Sequence, residues 1–136
     1  MKFYKMEWVY KFIPVPVFLS DKIREPFSGY SRFVYIVIKP NCIDDLGLIE
    51  HELTHIRQFY RTLGLMDLLK HFSKRIKLNR ELEAYINQAN EYGYSSYYEV
   101  SWIVDSLIYD YELGIYDEED IYASILVNLK KRKEKE

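Results

Sequence analysis

The chain has 136 residues, of which 49% are hydrophobic, and a formal net charge of −2. That length and composition predict one globular domain with its own core and exclude a disordered chain. The near-neutral charge gives no call for nucleic acid or an anionic membrane, no apolar run is long enough to span a bilayer, and the lone cysteine, Cys42, cannot close an internal disulfide.

Residues 1–43 read as mostly extended. Met1 to Lys11 fits a strand or a short helix. Ile13 to Leu19 reads as an edge strand, because Pro14 and Pro16 cannot donate to a ladder. Ser28-Gly29 marks a turn. Arg32 to Lys39 is the strongest strand pattern, β-branched and aromatic, and Pro40 stops it. The rest of the chain reads as helical. Asp44 or Asp45 can cap a helix that runs to Leu63, with Gly64 closing it. Met66 to Lys74 fits a short helix. Asn79 can cap a helix from Arg80 to Tyr92, closed by Gly93. Ser95 or Ser96 opens another that reaches Leu113, and Asp117 opens the last. That helix ends in a run of lysines and glutamates, where the cations suit a helix C-terminus. The fold expected is α+β: a small antiparallel sheet packed on a helical layer, with two C-terminal helices completing it. Residues 1–136 form one domain, with strands in 1–43, the functional helices in 44–92 and the C-terminal helices in 93–136.

The helix opened near Asp45 carries His51-Glu52-Leu53-Thr54-His55. Histidines four apart lie about 40° apart around a helix, so both imidazoles can close on one cation. Glu52 points about 100° away from His51, beside the metal rather than on it, where it can act on a water. Ile49, Leu53, Ile56, Tyr60 and Leu63 form one apolar stripe, and the histidines leave from the other side. A hydrolytic zinc site needs a third protein ligand. Asp67, His71, Glu81 and Glu83 are candidates. On the helix from Arg80, Glu81 borders the apolar stripe of Leu82, Ile86 and Ala89, whereas Glu83 projects with Asn87 and Asn90 on the polar face. Periodicity favours Glu81. Ala84, one turn on, is small enough to let the two helices approach. Cys42 has no second cysteine for a sulfur site and reads as structural.

His51 to His55 followed by Glu81-Leu82-Glu83-Ala84-Tyr85 resembles the gluzincin-type zinc metallopeptidases, and in size and order the small single-domain minigluzincins. The resemblance covers residues 33–92. It implies a zincin-like fold, Zn²⁺ held by His51, His55 and Glu81, and peptide-bond hydrolysis through an activated water with Glu52 as general base. It also implies that the strand from Phe33 to Lys39 borders the cleft and pairs with extended substrate. Tyr85 departs from the family pattern, which often has an aspartate there to support a histidine ligand. A phenol or another group must then take that part. The metzincin pattern does not fit, because Gln58 and Arg61 stand where its glycine and third histidine fall. Tyrosine is abundant, at 14 residues, and Tyr92, Tyr94, Tyr97 and Tyr98 are candidates for stabilising the oxyanion. The expected partners are a peptide or protein substrate and, for the assembly, a homodimer; the expected location is the cytoplasm. The alternative function is a latent or non-catalytic metal-binding relative with a regulatory or interaction role.

Overall fold

Four strands form in the first forty residues: β1 (Lys2–Val9), β2 (Ile13–Leu19), β3 (Gly29–Arg32) and β4 (Tyr35–Ile38). A 3-10 turn at Pro40–Cys42 leads into α1 (Leu46–Thr62), α2 (Leu65–Leu69), α3 (Lys74–Tyr92) and α4 (Tyr97–Asp105). The computed structural model describes residues 1–93, 97–107, 125 and 127. The architecture is α+β. The expected helix end at Leu113, the helix opened by Asp117 and the charged tail lie outside the described residues. No helix among the described residues is long and apolar enough to cross a membrane.

The sheet is mixed, not antiparallel as expected. Its order is β1-β2-β4-β3, with β2 and β4 parallel and the two outer pairings antiparallel. Residues 20–28 carry the chain past a one-strand gap before β3 begins. β4 then turns back from β3 into that gap and runs in the direction of β2. β2 is therefore flanked on both sides at its C-terminal end, where the sequence pattern predicts an edge. β4 meets it only at Val17–Leu19. Pro14 and Pro16 lie in the half that has β1 alone as a neighbour, where a missing donor is tolerated.

The strand expected over residues 32–39 is divided. Phe33 takes a left-handed backbone (φ 47°) between β3 and β4, so Arg32 ends one strand and Tyr35 begins the next. Ser28-Gly29 is the entry to β3 instead of a free turn. β4 consequently lies inside the sheet, and β3 is the edge.

One face of the sheet packs on α1. Val15, Val17, Ile36 and Ile38 meet Ile49, Leu53 and Ile56 in a single buried cluster. Asp45 caps the helix by accepting from the Leu48 amide at 2.9 Å. Leu63 leaves the expected stripe. It is the left-handed C-cap (φ 51°), and the turn swings its side chain out to 89% exposure. α3 begins at Lys74, upstream of the expected Arg80, because Ser73 accepts from the Ile76 amide at 3.3 Å. Buried Leu78 then extends the apolar stripe toward Ile86 and Ala89, which pack with Ile103 and Val104. Asn79 is an ordinary exposed position within that helix.

Ile56 is 1% exposed at the centre of the sheet–α1 cluster. Ile56→Ala is expected to cost about 2–5 kcal/mol in chemical denaturation, and Leu63→Ala less than about 0.5 kcal/mol. Equal effects would contradict this placement of the core.

Candidate metal centre

α1 and α3 cross through small and polar side chains. Ala84 has no exposed surface at all. Asn87 Nδ2 donates to Thr54 Oγ1 at 2.8 Å, and Thr54 donates to the Glu50 carbonyl one turn back, also at 2.8 Å. Asn87 thus faces α1, not solvent as its helical phase predicts, because Thr54 offers it an acceptor. The crossing brings three predicted groups together. His51 Nε2 lies 3.4 Å from Glu81 Oε2, and His55 Nε2 lies 3.3 Å from Glu81 Oε1. The ligand atoms of His51, His55 and Glu81 all fall within 4.8 Å of one another.

A glutamine holds each imidazole from behind. His51 Nδ1 pairs with Gln88 Oε1 and His55 Nδ1 with Gln58 Oε1, both at 2.9 Å. An amide oxygen only accepts, so each Nδ1 is the donor. In the neutral ring the Nε2 lone pair then faces inward, as a metal ligand requires. The amides are fixed in turn. Gln58 Nε2 donates to the Arg80 carbonyl at 3.1 Å, and Gln88 Nε2 donates to the Tyr92 hydroxyl at 3.0 Å. Tyr92 donates to Asp45, the carboxylate that caps α1. A chain of contacts therefore runs from Asp45 through Tyr92 and Gln88 to His51. Gly47 makes room for it, since a Cβ there would collide with the Tyr92 ring.

Gln58 and Gln88 are the site residues that the pattern of charged and histidine residues does not reveal. Their positions carry a faint signal. Gln58 stands three residues after His55, and Gln88 stands two turns after Glu81 on the same face. Gln88 takes the part that the resemblance assigns to an acid at position 85. Tyr85 itself packs edge-on against the His51 ring, with centroids 4.4 Å apart.

The other sequence candidates are engaged elsewhere. Glu83 accepts from Arg61 at 2.9 and 3.2 Å, and Asp67 accepts from Arg80 at 2.7 Å. His71 is exposed. Tyr92 is committed to Asp45 and Gln88, while Tyr94 and the side chains of Tyr97 and Tyr98 lie outside the described residues. Cys42 packs against the sheet–α1 core. Glu52 is buried and lines both of two adjoining cavities, of about 280 and 230 Å³.

The electrostatics of the cluster are those of a coupled imidazole–carboxylate group. Burial pushes the Glu81 carboxyl up, but the His55 and His51 imidazoles outweigh it and hold Glu81 well below the usual carboxylate range. Burial pushes His55 down, but the Glu81 carboxylate, with help from Glu52 and Gln58, raises it to about 9. Glu81 Oε2 is buried with no donor in hydrogen-bonding geometry. A buried carboxylate oxygen without a donor is costly unless a cation satisfies it. Two imidazole nitrogens and one carboxylate fit zinc, and the same set accepts cobalt, nickel or manganese. Searches against protein-family models, curated proteins and solved structures gave no match to the chain.

Gly47→Ala displaces Tyr92, and Gln88→Leu removes the acceptor behind His51. Each is expected to weaken zinc binding about 10–100-fold in competition with a chelator, with the helical circular dichroism retained. Unchanged affinity in both would remove the contact chain from the site.

The metal-free site also predicts a pH dependence. His55 is raised from 6.5 to about 9, so its stabilisation is full below pH 6.5 and is lost as pH rises through 9. Glu81 is lowered from 4.5, so its stabilisation is full above pH 4.5 and is lost as pH falls below it. In chelator-treated protein, thermal melts should show Glu81→Gln most destabilising between pH 4.5 and 6.5 and least destabilising above pH 9. A difference that does not vary with pH would refute the coupling.

Proposed function

We propose that the chain is a zinc-dependent peptide hydrolase of the gluzincin type. The observation that carries the reading is the convergence of His51 Nε2, His55 Nε2 and the Glu81 carboxylate beside a cleft that Glu52 lines. A zinc ion supplies Lewis-acid polarisation of a carbonyl and lowers the pKa of water toward neutrality. Glu52, on the turn between the two histidines, takes the proton from the attacking water at its carboxylate. It then delivers that proton to the nitrogen of the leaving amine. Gln58 and Gln88 keep both imidazoles in the tautomer that presents Nε2.

The edge strand β3 supports docking of an extended peptide. Ser28 O accepts from Lys39 N at 2.9 Å, so in this antiparallel pair Tyr30 and Arg32 also bond toward β4. The peptide groups of Gly29 and Ser31 then point to the free edge, and both residues line the larger cavity. Substrate pairing therefore falls to β3; the strand expected from Phe33 to Lys39 is broken at Phe33, and β4 lies inside the sheet. A reducing, cytoplasmic setting fits the lone Cys42.

The purified protein is expected to bind one zinc ion, to lose it on His55→Ala, and to cleave unstructured peptides. Glu52→Ala should retain zinc and lower turnover about 10²–10⁴-fold. Cleavage that survives Glu52→Ala would refute the assigned base. Zinc binding without cleavage by the native chain would favour a latent or non-catalytic relative.

A further inference from the structure

We propose that the cleft selects a peptide that carries an acidic side chain on one side of the scissile bond. The proposal rests on the peptide-hydrolase reading and adds the substrate class to it. The two cavities share Phe27, Gly29 and Glu52, and they adjoin the metal cluster from its two ends. One is bordered by His55 and Glu81, the other by His51 and Gln88. β3 runs beside both, so one extended peptide can reach the two.

The linings differ in charge. Arg24 and Lys70 line the His55 cavity. The Arg24 side chain is exposed and has no hydrogen bond or ion pair with any described residue. Lys70 Nζ stands 3.9 Å from Asp67, the outer limit of an ion pair. Asp67 is already matched by Arg80, which is buried and 2.7 Å away. Glu52 and Glu81 are the other acids of this wall. Three carboxylates thus face three cations, and a divalent ion at the cluster leaves a surplus of positive charge. An unpaired guanidinium and a loosely paired ammonium in a concave wall attract a carboxylate and repel an ammonium.

The His51 cavity offers no such charge. No lysine or arginine is among its lining residues, and His51, Glu52 and Gln88 stand beside its aromatic and aliphatic walls. A peptide carboxylate therefore meets its cations at the His55 end.

Binding, not turnover, tests this. The full chain carrying Glu52→Gln, loaded with zinc, is titrated by fluorescence anisotropy with alanine-based peptides capped at both termini. They carry glutamate, glutamine or lysine on one side of the centre or on the other. On one of the two sides the glutamate peptide should bind about tenfold more tightly than the lysine peptide. Arg24→Glu combined with Lys70→Glu should reverse that charge preference. Equal affinity for all three charges, a preference for lysine, or no peptide binding overturns the proposal. So does a gain that appears only when the peptide's terminal carboxylate is left uncapped. If the preference holds while the native protein fails to hydrolyse any of these peptides, the Glu52 mechanism falls and the binding specificity stands.

Discussion

The distance between α1 and α3 governs everything the site can do. Two histidines on one helix define a line of approach, but only a third group from another helix makes a pocket for a cation. Ala84, with no surface exposed, and the Asn87–Thr54 hydrogen bond hold the helices at the spacing where Glu81 reaches both Nε2 atoms. The sheet fixes the other side of α1, through Ile49, Leu53 and Ile56. The histidine helix therefore lies between the sheet core on one side and the polar contacts to α3 on the other.

The polar groups around the cluster follow from that placement. Burying a carboxylate and two imidazoles is unfavourable unless each polar atom finds a partner. The glutamines meet that requirement for both Nδ1 atoms and leave the three inward atoms facing one another. Their amides are oriented by a backbone carbonyl on one side and by the Tyr92–Asp45 contact on the other. Asp45 serves two ends at once. It caps the helix that bears the histidines and terminates the contacts that orient one of them. The α1 N-cap and the orientation of His51 thus share one carboxylate.

The sheet contributes an edge as well as a core. Because β4 returns into the gap between β2 and β3, the strand left at the rim is short and lies along the cleft. A strand edge with outward peptide groups is an aggregation hazard unless it is covered or used. Here Gly29 borders both cavities that Glu52 lines, and Ser31 borders the larger.

Much of this was open to reading in the one-dimensional pattern. The spacing of His51 and His55, the apolar phase of α1 and the preference for Glu81 over Glu83 all follow from 3.6 residues per turn, a local rule that any helix obeys. Strand content, the cap at Asp45 and the closure at Gly93 are likewise set by near neighbours. Long-range geometry governs the remainder. The parallel β2–β4 pairing depends on where residues 20–28 deliver the chain, and no alternation of side chains encodes that. The extra turns of α3, opened by the Ser73 cap, are held by Leu78 in a cluster with Ile103 and Val104. Gln58 and Gln88 look like surface residues until the helices meet, because an uncharged amide announces no role before its partner is in place. Local periodicity chooses which residues can serve, and packing between distant segments chooses which of them come within reach of one another.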